Sequence, residues 1–276
     1  MDRYAVFGNP IAHSKSPVIH ARFAEQTGQA LRYEARLAPL GGFAEAVAAF
    51  RAEGGRGANV TVPFKLDAFA LADRRSARAE AAGAANTLLF DERGILADNT
   101  DGVGLVRDLA QLGCVLDGAR VLLLGAGGAA RGALLPLLAE APSSLTIANR
   151  TPEKALALAQ QFQPEGRACA LAGCGFDGLA GGTFDVVINA TSSSLSDDVP
   201  PLPQGIYAPG ALAYDMMYGR DETSFIAAAR ALGAARVSDG LGMLVEQAAE
   251  SFFLWRGVRP DTLPVRAALR EAIAQS

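Results

Sequence analysis

Short apolar runs alternate with alanine-rich amphipathic segments along almost the whole chain. "YAVFG" is followed by "SPVIHARFAEQTG", then by "RYEARLA", by a segment of helical spacing over residues 42–53, and by the β-branched run "GANVTVP". Short apolar runs bounded by turn residues predict strands, and apolar residues recurring three and four apart predict helices. Their alternation predicts an α/β protein with a mainly parallel sheet. After "GILADNTDG" a helix from about Gly104 to Leu112 is predicted, leading into "ARVLLLGAGGAARGALLPLLAEA". There strand periodicity gives way to helix periodicity at a glycine cluster, so a second α/β unit begins. It continues through "SLTIANR", a helix over about Pro152 to Phe162, "FDVVINAT" and "ALAYDMMY". The last segments are a short strand in "AARVS" and a long amphipathic helix over "GMLVEQAAESFFLWRG".

Composition narrows this picture. The chain has 276 residues, half of them hydrophobic, enough for two domains or one large one. A net charge of -4 gives no electrostatic footprint for nucleic acid, although small anionic ligands stay open because local charge can oppose the net. No apolar run reaches spanning length and the N-terminus has no signal-peptide pattern, so a soluble, cytoplasmic protein away from the membrane is expected. Cys114, Cys169 and Cys174 match neither a zinc pattern nor a CxxC motif, and no metal site is expected of them.

The glycine cluster carries the first chemistry. In "VLLLGAGGAARGALL", Gly125, Gly127 and Ala130 fill a G-x-G-x-x-G/A pattern directly after a strand and at the opening of a helix. The first glycine permits a tight turn, the second lets backbone approach a pyrophosphate, and the small third residue permits close helix packing. The anion would sit at the helix N-terminus, on unpaired N–H groups. A glycine-rich turn alone is often only a turn. The next strand adds to it, because roughly 20 residues further on, where an NAD enzyme carries an acidic residue, the chain reads Asn149, Arg150 and Thr151. A guanidinium pairs with a 2′-phosphate that a carboxylate would repel, so NADP is favoured over NAD. Thr151 before Pro152 also reads as a helix N-cap. Lys154 in the first helical turn suits a nearby phosphate or, equally, a solvated surface.

A nicotinamide enzyme moves hydride, and its protein must handle the accompanying proton. The only histidines are His13 and His20, and His20 lies in a helical pattern that suits a structural role. Lys65 follows Val60, Thr61, Val62 and Pro63 and is expected at a strand end, where open α/β sheets bind ligands. Alternation would put Asn59, Thr61 and Pro63 on one face of that strand, with Lys65 joining them if extended geometry survives Pro63. "ADNTDGVG" supplies Asp98 and Asp101 around Asn99 and Thr100, a turn and helix start when read alone and a carboxylate partner when read beside the lysine. Ser14 and Ser16, before Pro17, read as capping hydroxyls at a helix start that could hold a carboxylate. Gln247 shares a helical face with Leu244, Ala248 and Ser251, and suits either a polyhydroxylated ligand or an internal hydrogen bond.

Taken together, "GNPIAHSKSP", "GANVTVPFK", "GAANTL", "DNTDGVG", "GAGGAARG", "NRT", "INATSS", "YDMMY" and "DGLGMLVEQAA" resemble the shikimate dehydrogenase family over essentially the whole chain. The resemblance implies two α/β domains: an N-terminal substrate domain (1–101 plus 238–276) with a mainly parallel sheet, and a Rossmann-type NADP domain (102–237). The C-terminal helices return to the first domain. It implies NADPH-dependent reduction of 3-dehydroshikimate to shikimate on the route to chorismate and aromatic amino acids. Ser14 and Ser16 would bind the substrate carboxylate; Asn59, Thr61, Asn86, Tyr218 and Gln247 would line the pocket; Lys65 and Asp101 would be the catalytic pair. Gly125, Ala126, Gly127, Gly128, Ala129, Ala130, Asn149, Arg150, Thr151 and Lys154 would hold NADP(H), with Thr191, Met216 and Gly240 beside it. A monomer or homodimer with a small-molecule substrate is expected. Two departures from the family pattern are Ser194, where relatives often have glycine, and the absence of a proline after Tyr218. A dual quinate/shikimate enzyme and a non-catalytic NADP-binding regulator are the rival readings; retention of Ser14 and Ser16 weighs against the first and of Lys65 and Asp101 against the second.

Overall fold

The computed structural model describes residues 1–163, 169–191 and 199–275; Ser194 lies outside them. The chain divides into two compact units, one made of residues 1–104 and 244–269, the other of residues 105–243 and 270–276.

The first unit contains β1 (Asp2–Gly8), α1 (Ser16–Thr27), β2 (Leu31–Leu37), α2 (Phe43–Ala52), β3 (Gly55–Val60), α3 (Lys65–Leu71), β4 (Arg74–Arg75), α4 (Ala77–Ala82), β5 (Thr87–Asp91), β6 (Gly94–Asp98) and the opening of α5 (Asp101–Gln111). Its sheet runs β2-β1-β3-β5-β6-β4. β1 pairs in parallel with β2 and β3, as expected of β-α-β units. β5 is antiparallel to both β3 and β6. The two-residue link between β5 and β6 is too short for a crossover and forces a hairpin, in which Arg93 N–H donates to Asp91 Oδ1 at 2.8 Å. Phe7, Phe43, Phe50 and Phe64 fill the core beneath the parallel strands, with edge-to-face and stacked pairs among them.

Two boundaries differ from the sequence expectation. β3 ends at Val60, so Lys65 is the first residue of α3 and is not on the strand. Pro63 has no N–H to extend the ladder, Phe64 N–H folds back onto the Thr61 carbonyl at 3.0 Å, and the buried Phe64 ring stacks on Phe43. α5 opens at Asp101, three residues before Gly104, because Asn99 Oδ1 accepts the Asp101 N–H.

The C-terminal part completes this unit. In α9 (Leu241–Arg256), Trp255 stacks on Tyr4 with ring centroids 4.7 Å apart and donates to the Leu88 carbonyl at 3.0 Å. Only a glycine at position 57 leaves room for it, since a Cβ there would lie 2.5 Å from Trp255 Nε1.

The second unit contains β7 (Arg120–Leu124), α6 (Gly128–Ala139), β8 (Ser144–Ala148), α7 (Pro152–Gln161), β9 (Ala170–Cys174), β10 (Phe184–Asn189), β11 (Tyr207–Asp215), α8 (Ser224–Ala231) and β12 (Arg236–Ser238). All its ladders are parallel, and the order β9-β8-β7-β10-β11-β12 is the 3-2-1-4-5-6 order of a doubly wound Rossmann sheet. β7 is central: Val121 and Leu123 enter one apolar cluster, Leu122 and Leu124 the other, so both faces of the sheet are covered. Helix α10 (Leu263–Ala274) ends the described chain. Among the described residues no helix is long and apolar enough to cross a membrane.

Candidate active site

Three local structures of the first unit bring charge and amides together. Lys65 starts α3 and Asp101 starts α5; Lys65 Nζ donates to Asp101 Oδ2 at 2.6 Å, with the two side chains 34% and 19% exposed. The other carboxylate oxygen accepts from Asn86 Nδ2 at 2.8 Å. The carboxylate is therefore held from two sides while the ammonium stays open to a ligand.

Asn86 is the hub behind this pair. Its Oδ1 accepts from the Thr100 N–H at 2.9 Å and the Thr87 hydroxyl at 2.9 Å. Its Nδ2 also reaches Gln247 Oε1 at 3.2 Å. Gln247 in turn donates to the Leu244 carbonyl at 2.8 Å, so its amide is oriented by its own helix. Thr87, Thr100 and Ser251 supply fully buried hydroxyls between these amides. Sequence reasoning misses Thr87 and Ser251 as members of the site, although each stands beside or on one face with a residue it singles out, Asn86 and Gln247.

Asn59 is bound into the same network. It is 6% exposed. Its Nδ2 donates to the Asn86 carbonyl, the Thr87 hydroxyl and the Ser251 hydroxyl, and its Oδ1 accepts from the Tyr33 hydroxyl at 2.8 Å. An amide engaged this fully orients its neighbours. Tyr33 also meets the Ser16 side chain. At the start of α1, Lys15 takes the N-cap position, and the Ser14 hydroxyl accepts from the Ser16 N–H at 3.3 Å; the expected helix cap is thus displaced by one residue. Ser14, Ser16 and Thr61 are half-buried.

Beneath Tyr33 lies His20, fully buried and stacked ring on ring at 4.1 Å. Burial pushes its pKa down to about 3. Asn59 is beside the ring, but its amide hydrogens are donated elsewhere, and neither ring nitrogen has a hydrogen-bond partner among the described residues. His20 is a neutral packing group, as its helical position suggested.

In the second unit, β7 ends at the glycine turn. Gly125 has φ of +107°, and a Cβ there would lie 3.2 Å from the Ala190 carbonyl oxygen and Thr191 Cγ2. Gly127 and Gly128 are exposed, and a Cβ on either meets nothing within 4 Å. Gly127 holds the N-cap position of this 12-residue helix, between half-buried Ala126 and exposed Ala129, while Ala130 is buried beneath. This cradle fits a pyrophosphate. Asn149 and Arg150 follow β8, with Asn149 Nδ2 donating to the Thr151 carbonyl at 3.0 Å. Thr151 holds the N-cap position of α7 before Pro152, yet its hydroxyl makes no cap bond, contrary to the capping reading. Arg150, Thr151 and Lys154 are all exposed.

The loops after β10 and β11 are tied by buried polar groups. The Thr191 hydroxyl donates to Asn189 Oδ1 at 2.6 Å, and Asn189 Nδ2 donates to Asp215 at 3.1 Å. Asp215 also takes the Met217 N–H and the Thr223 hydroxyl. Gly240 closes against Met216, whose carbonyl oxygen would be 2.1 Å from any Cβ. Tyr218 lies half-buried on the same loop, its pKa raised by burial and then by the Asp239 charge. Ser14, Ser16, Thr61, Lys65, Asn86, Asp101 and Gln247 thus belong to the first unit, and Tyr218, with the residues expected to hold the cofactor, to the second.

A Rossmann sheet with an open glycine cradle, in one chain with a lysine–aspartate pair set among hydroxyls and amides, defines a dinucleotide-dependent oxidoreductase. Comparison with known proteins narrows the class. Residues 6–88 match the shikimate dehydrogenase substrate binding domain, residues 108–196 shikimate/quinate 5-dehydrogenase, and residues 240–270 the shikimate 5′-dehydrogenase C-terminal domain. The chain belongs to the shikimate dehydrogenase family. Shikimate dehydrogenase (NADP(+)) of Aromatoleum aromaticum is 65% identical over 274 residues, covering 99% of this chain and 98% of that protein. Among solved structures, an Ael1 enzyme from Pseudomonas putida aligns at a TM-score of 0.91 and 53% identity, covering 98% of each chain. Shikimate 5-dehydrogenase from Thermus thermophilus, in complex with NADP(H) and shikimate, aligns at a TM-score of 0.85 and 35% identity, covering 99% of this chain and 100% of that one.

Proposed function

We propose that this chain catalyses the reversible NADPH-dependent reduction of 3-dehydroshikimate to shikimate, feeding the synthesis of chorismate and the aromatic amino acids. The observation that carries the reading is the Lys65–Asp101 pair at 2.6 Å, part-exposed and backed by oriented amides. Bound NADPH supplies the hydride. Lys65 Nζ donates the proton that the reduced carbonyl oxygen needs, and in the reverse direction takes it back. Asp101 holds the ammonium in place through one oxygen, and Asn86 fixes that carboxylate through the other. Ser14 and Ser16 present hydroxyls at the opening of α1 for the substrate carboxylate, while Asn86, Thr61, Gln247 and Tyr218 are assigned to the ring hydroxyls. Asn59 acts from behind them.

The first unit is the substrate domain and the second the NADP domain, with Gly125 to Ala130 on the pyrophosphate. Arg150, Thr151 and Lys154 take the 2′-phosphate end, Asn149, Thr191, Met216 and Gly240 lie beside the cofactor, and the protein works in the cytoplasm as a monomer or homodimer. The test is a four-way assay of shikimate and quinate with NADP and NAD. Clear preference for shikimate with NADP is expected; equal or better turnover of quinate with NAD would overturn the assignment, and no turnover of any pair would favour a binding protein.

A further inference from the structure

Arg78, on α4, belongs to none of the motifs that carry the family resemblance. Its guanidinium is shared between two buried carboxylates. Nε and Nη2 form a fork onto the two oxygens of Asp98, and Nη1 donates to Glu250 Oε1 at 2.9 Å. Asp98 is 2% exposed and Glu250 8%. Burial works against ionisation of both, but the arginines outweigh it and keep both carboxyls below their usual range: Arg78 with the Ser76 hydroxyl at Asp98, Arg259 with Arg78 at Glu250.

Each leg of this bridge leads to the proposed site. Asp98 ends β6 and accepts the Asn99 N–H at 2.7 Å, and Asn99 in turn accepts the Asp101 N–H at 3.2 Å. The backbone N–H of Asp101 is therefore two hydrogen bonds from the carboxylate that the guanidinium grips. Glu250 lies on α9 three residues beyond Gln247, on the adjacent turn. Only a planar fork with several fixed donors can hold both carboxylates at once; a lysine ammonium offers one compact charge.

We infer that Arg78 is a positioning residue for the reaction: one guanidinium holds the loop that presents Asp101 and the helix turn that presents Gln247 in a common frame. The inference rests on the roles given to Asp101 and Gln247 above. A purely structural ion pair makes a different prediction, because replacing all members of a buried charge cluster by neutral groups of similar size often restores stability. Positioning would not return with it.

The experiment compares the wild type with Asp98→Asn, Glu250→Gln, Arg78→Lys and the quadruple variant Arg78→Met/Asp98→Asn/Glu250→Gln/Arg259→Met, which also neutralises the second arginine on Glu250, measuring thermal midpoint and separate KM and kcat for shikimate and NADP. Asp98→Asn is expected to lower kcat about ten- to a hundredfold with a smaller change in KM for shikimate, as for a displaced catalytic group. Glu250→Gln is expected to raise KM for shikimate several-fold with kcat within about threefold, the mark of lost substrate binding. Arg78→Lys should show both effects, KM for NADP should stay unchanged throughout, and the quadruple variant should regain its melting temperature without regaining kcat. A quadruple variant with restored kcat, an Arg78→Lys protein with wild-type constants, or losses that only track the unfolded fraction would overturn the inference. Arg120→Met, which breaks an exposed arginine–aspartate pair in the second unit, is the control expected to leave all constants unchanged. A wild type that does not oxidise shikimate with NADP would instead overturn the proposed reaction.

Discussion

Lys65 occupies a place where its charge is stabilised without being shut away: one short bond to Asp101, and a third of the side chain still exposed. Removing the ammonium should stop proton transfer while leaving the hydroxyls and amides assigned to substrate binding. Lys65→Ala is expected to lower kcat by about a hundred- to ten-thousandfold, the usual range for a lost general acid, while calorimetry shows shikimate binding within a few-fold of wild type; unchanged turnover would defeat its assignment. Arg150 has a different signature. Arg150→Leu should raise KM for NADP by about tenfold or more through the lost charge-assisted pair and leave KM for NAD unchanged. His20 carries the pH prediction. Its folded pKa of about 3 lies below the ordinary value of 6.5, so the unfolded chain takes up the extra proton first as pH falls. The stability contributed by the neutral ring is complete above pH 6.5 and is lost progressively down to about pH 3, a loss of about 2 kcal/mol by pH 5. Denaturation midpoints measured between pH 7 and 5 should fall for the wild type and stay nearly level over that window for His20→Phe. At this scale the sequence was readable for Lys65, since the carboxylate it is paired with in the motif reading, Asp101, is the one its ammonium meets at 2.6 Å. It was least readable for Thr87 and Ser251, since a buried hydroxyl that completes a polar network looks like any other until its hydrogen bonds are counted.

Between residue and element, glycines decide how closely helices approach. Gly104 on α5 lies against the backbone of Gln247 on α9, and a Cβ there would be 2.7 Å from the Gln247 nitrogen. Gly104→Ala should push that turn of α9 outward, destabilising the protein by about 1–3 kcal/mol and raising KM for shikimate more than it lowers kcat; a substitution that changed only the melting temperature would show that the turn tolerates displacement. Periodicity marked α2 and α7 closely because one face of each is buried over several turns, and α9 was marked as closely although residues 245–252 are buried on every side. It failed where local bonds override it. The β3 strand stops early because Phe64 is drawn into the aromatic core and turns the chain, and α5 starts early because Asn99 supplies a side-chain acceptor. The β5–β6 hairpin escapes a sequence reading because "DERG" separates two apolar runs that, read one at a time, suit parallel strands equally well.

For the whole chain, the alternation of strand and helix was enough for the α/β class, and the glycine turn marked β7 as the start of a Rossmann unit. The strand orders were not legible, because pairing such as β7 with β10 joins segments far apart in sequence and is settled by packing on both faces. The most consequential long-range feature is that residues 1–104 and 244–269 share one unit. The sheet of the first segment is covered by Trp255, and its inner polar groups are completed by Ser251, which bonds Asn59 and Thr87. During translation those groups leave the ribosome uncovered and stay so until all of residues 105–243 have been made. The usual rule that the N-terminal domain folds first therefore does not hold in this chain: its opening segment must wait, incomplete, for a helix not yet synthesised. Arrested nascent chains ending at residue 243 should leave residues 1–104 open to protease, and chains extended past residue 269 should protect them; its yield in the cell then depends on how fast the middle of the message is read.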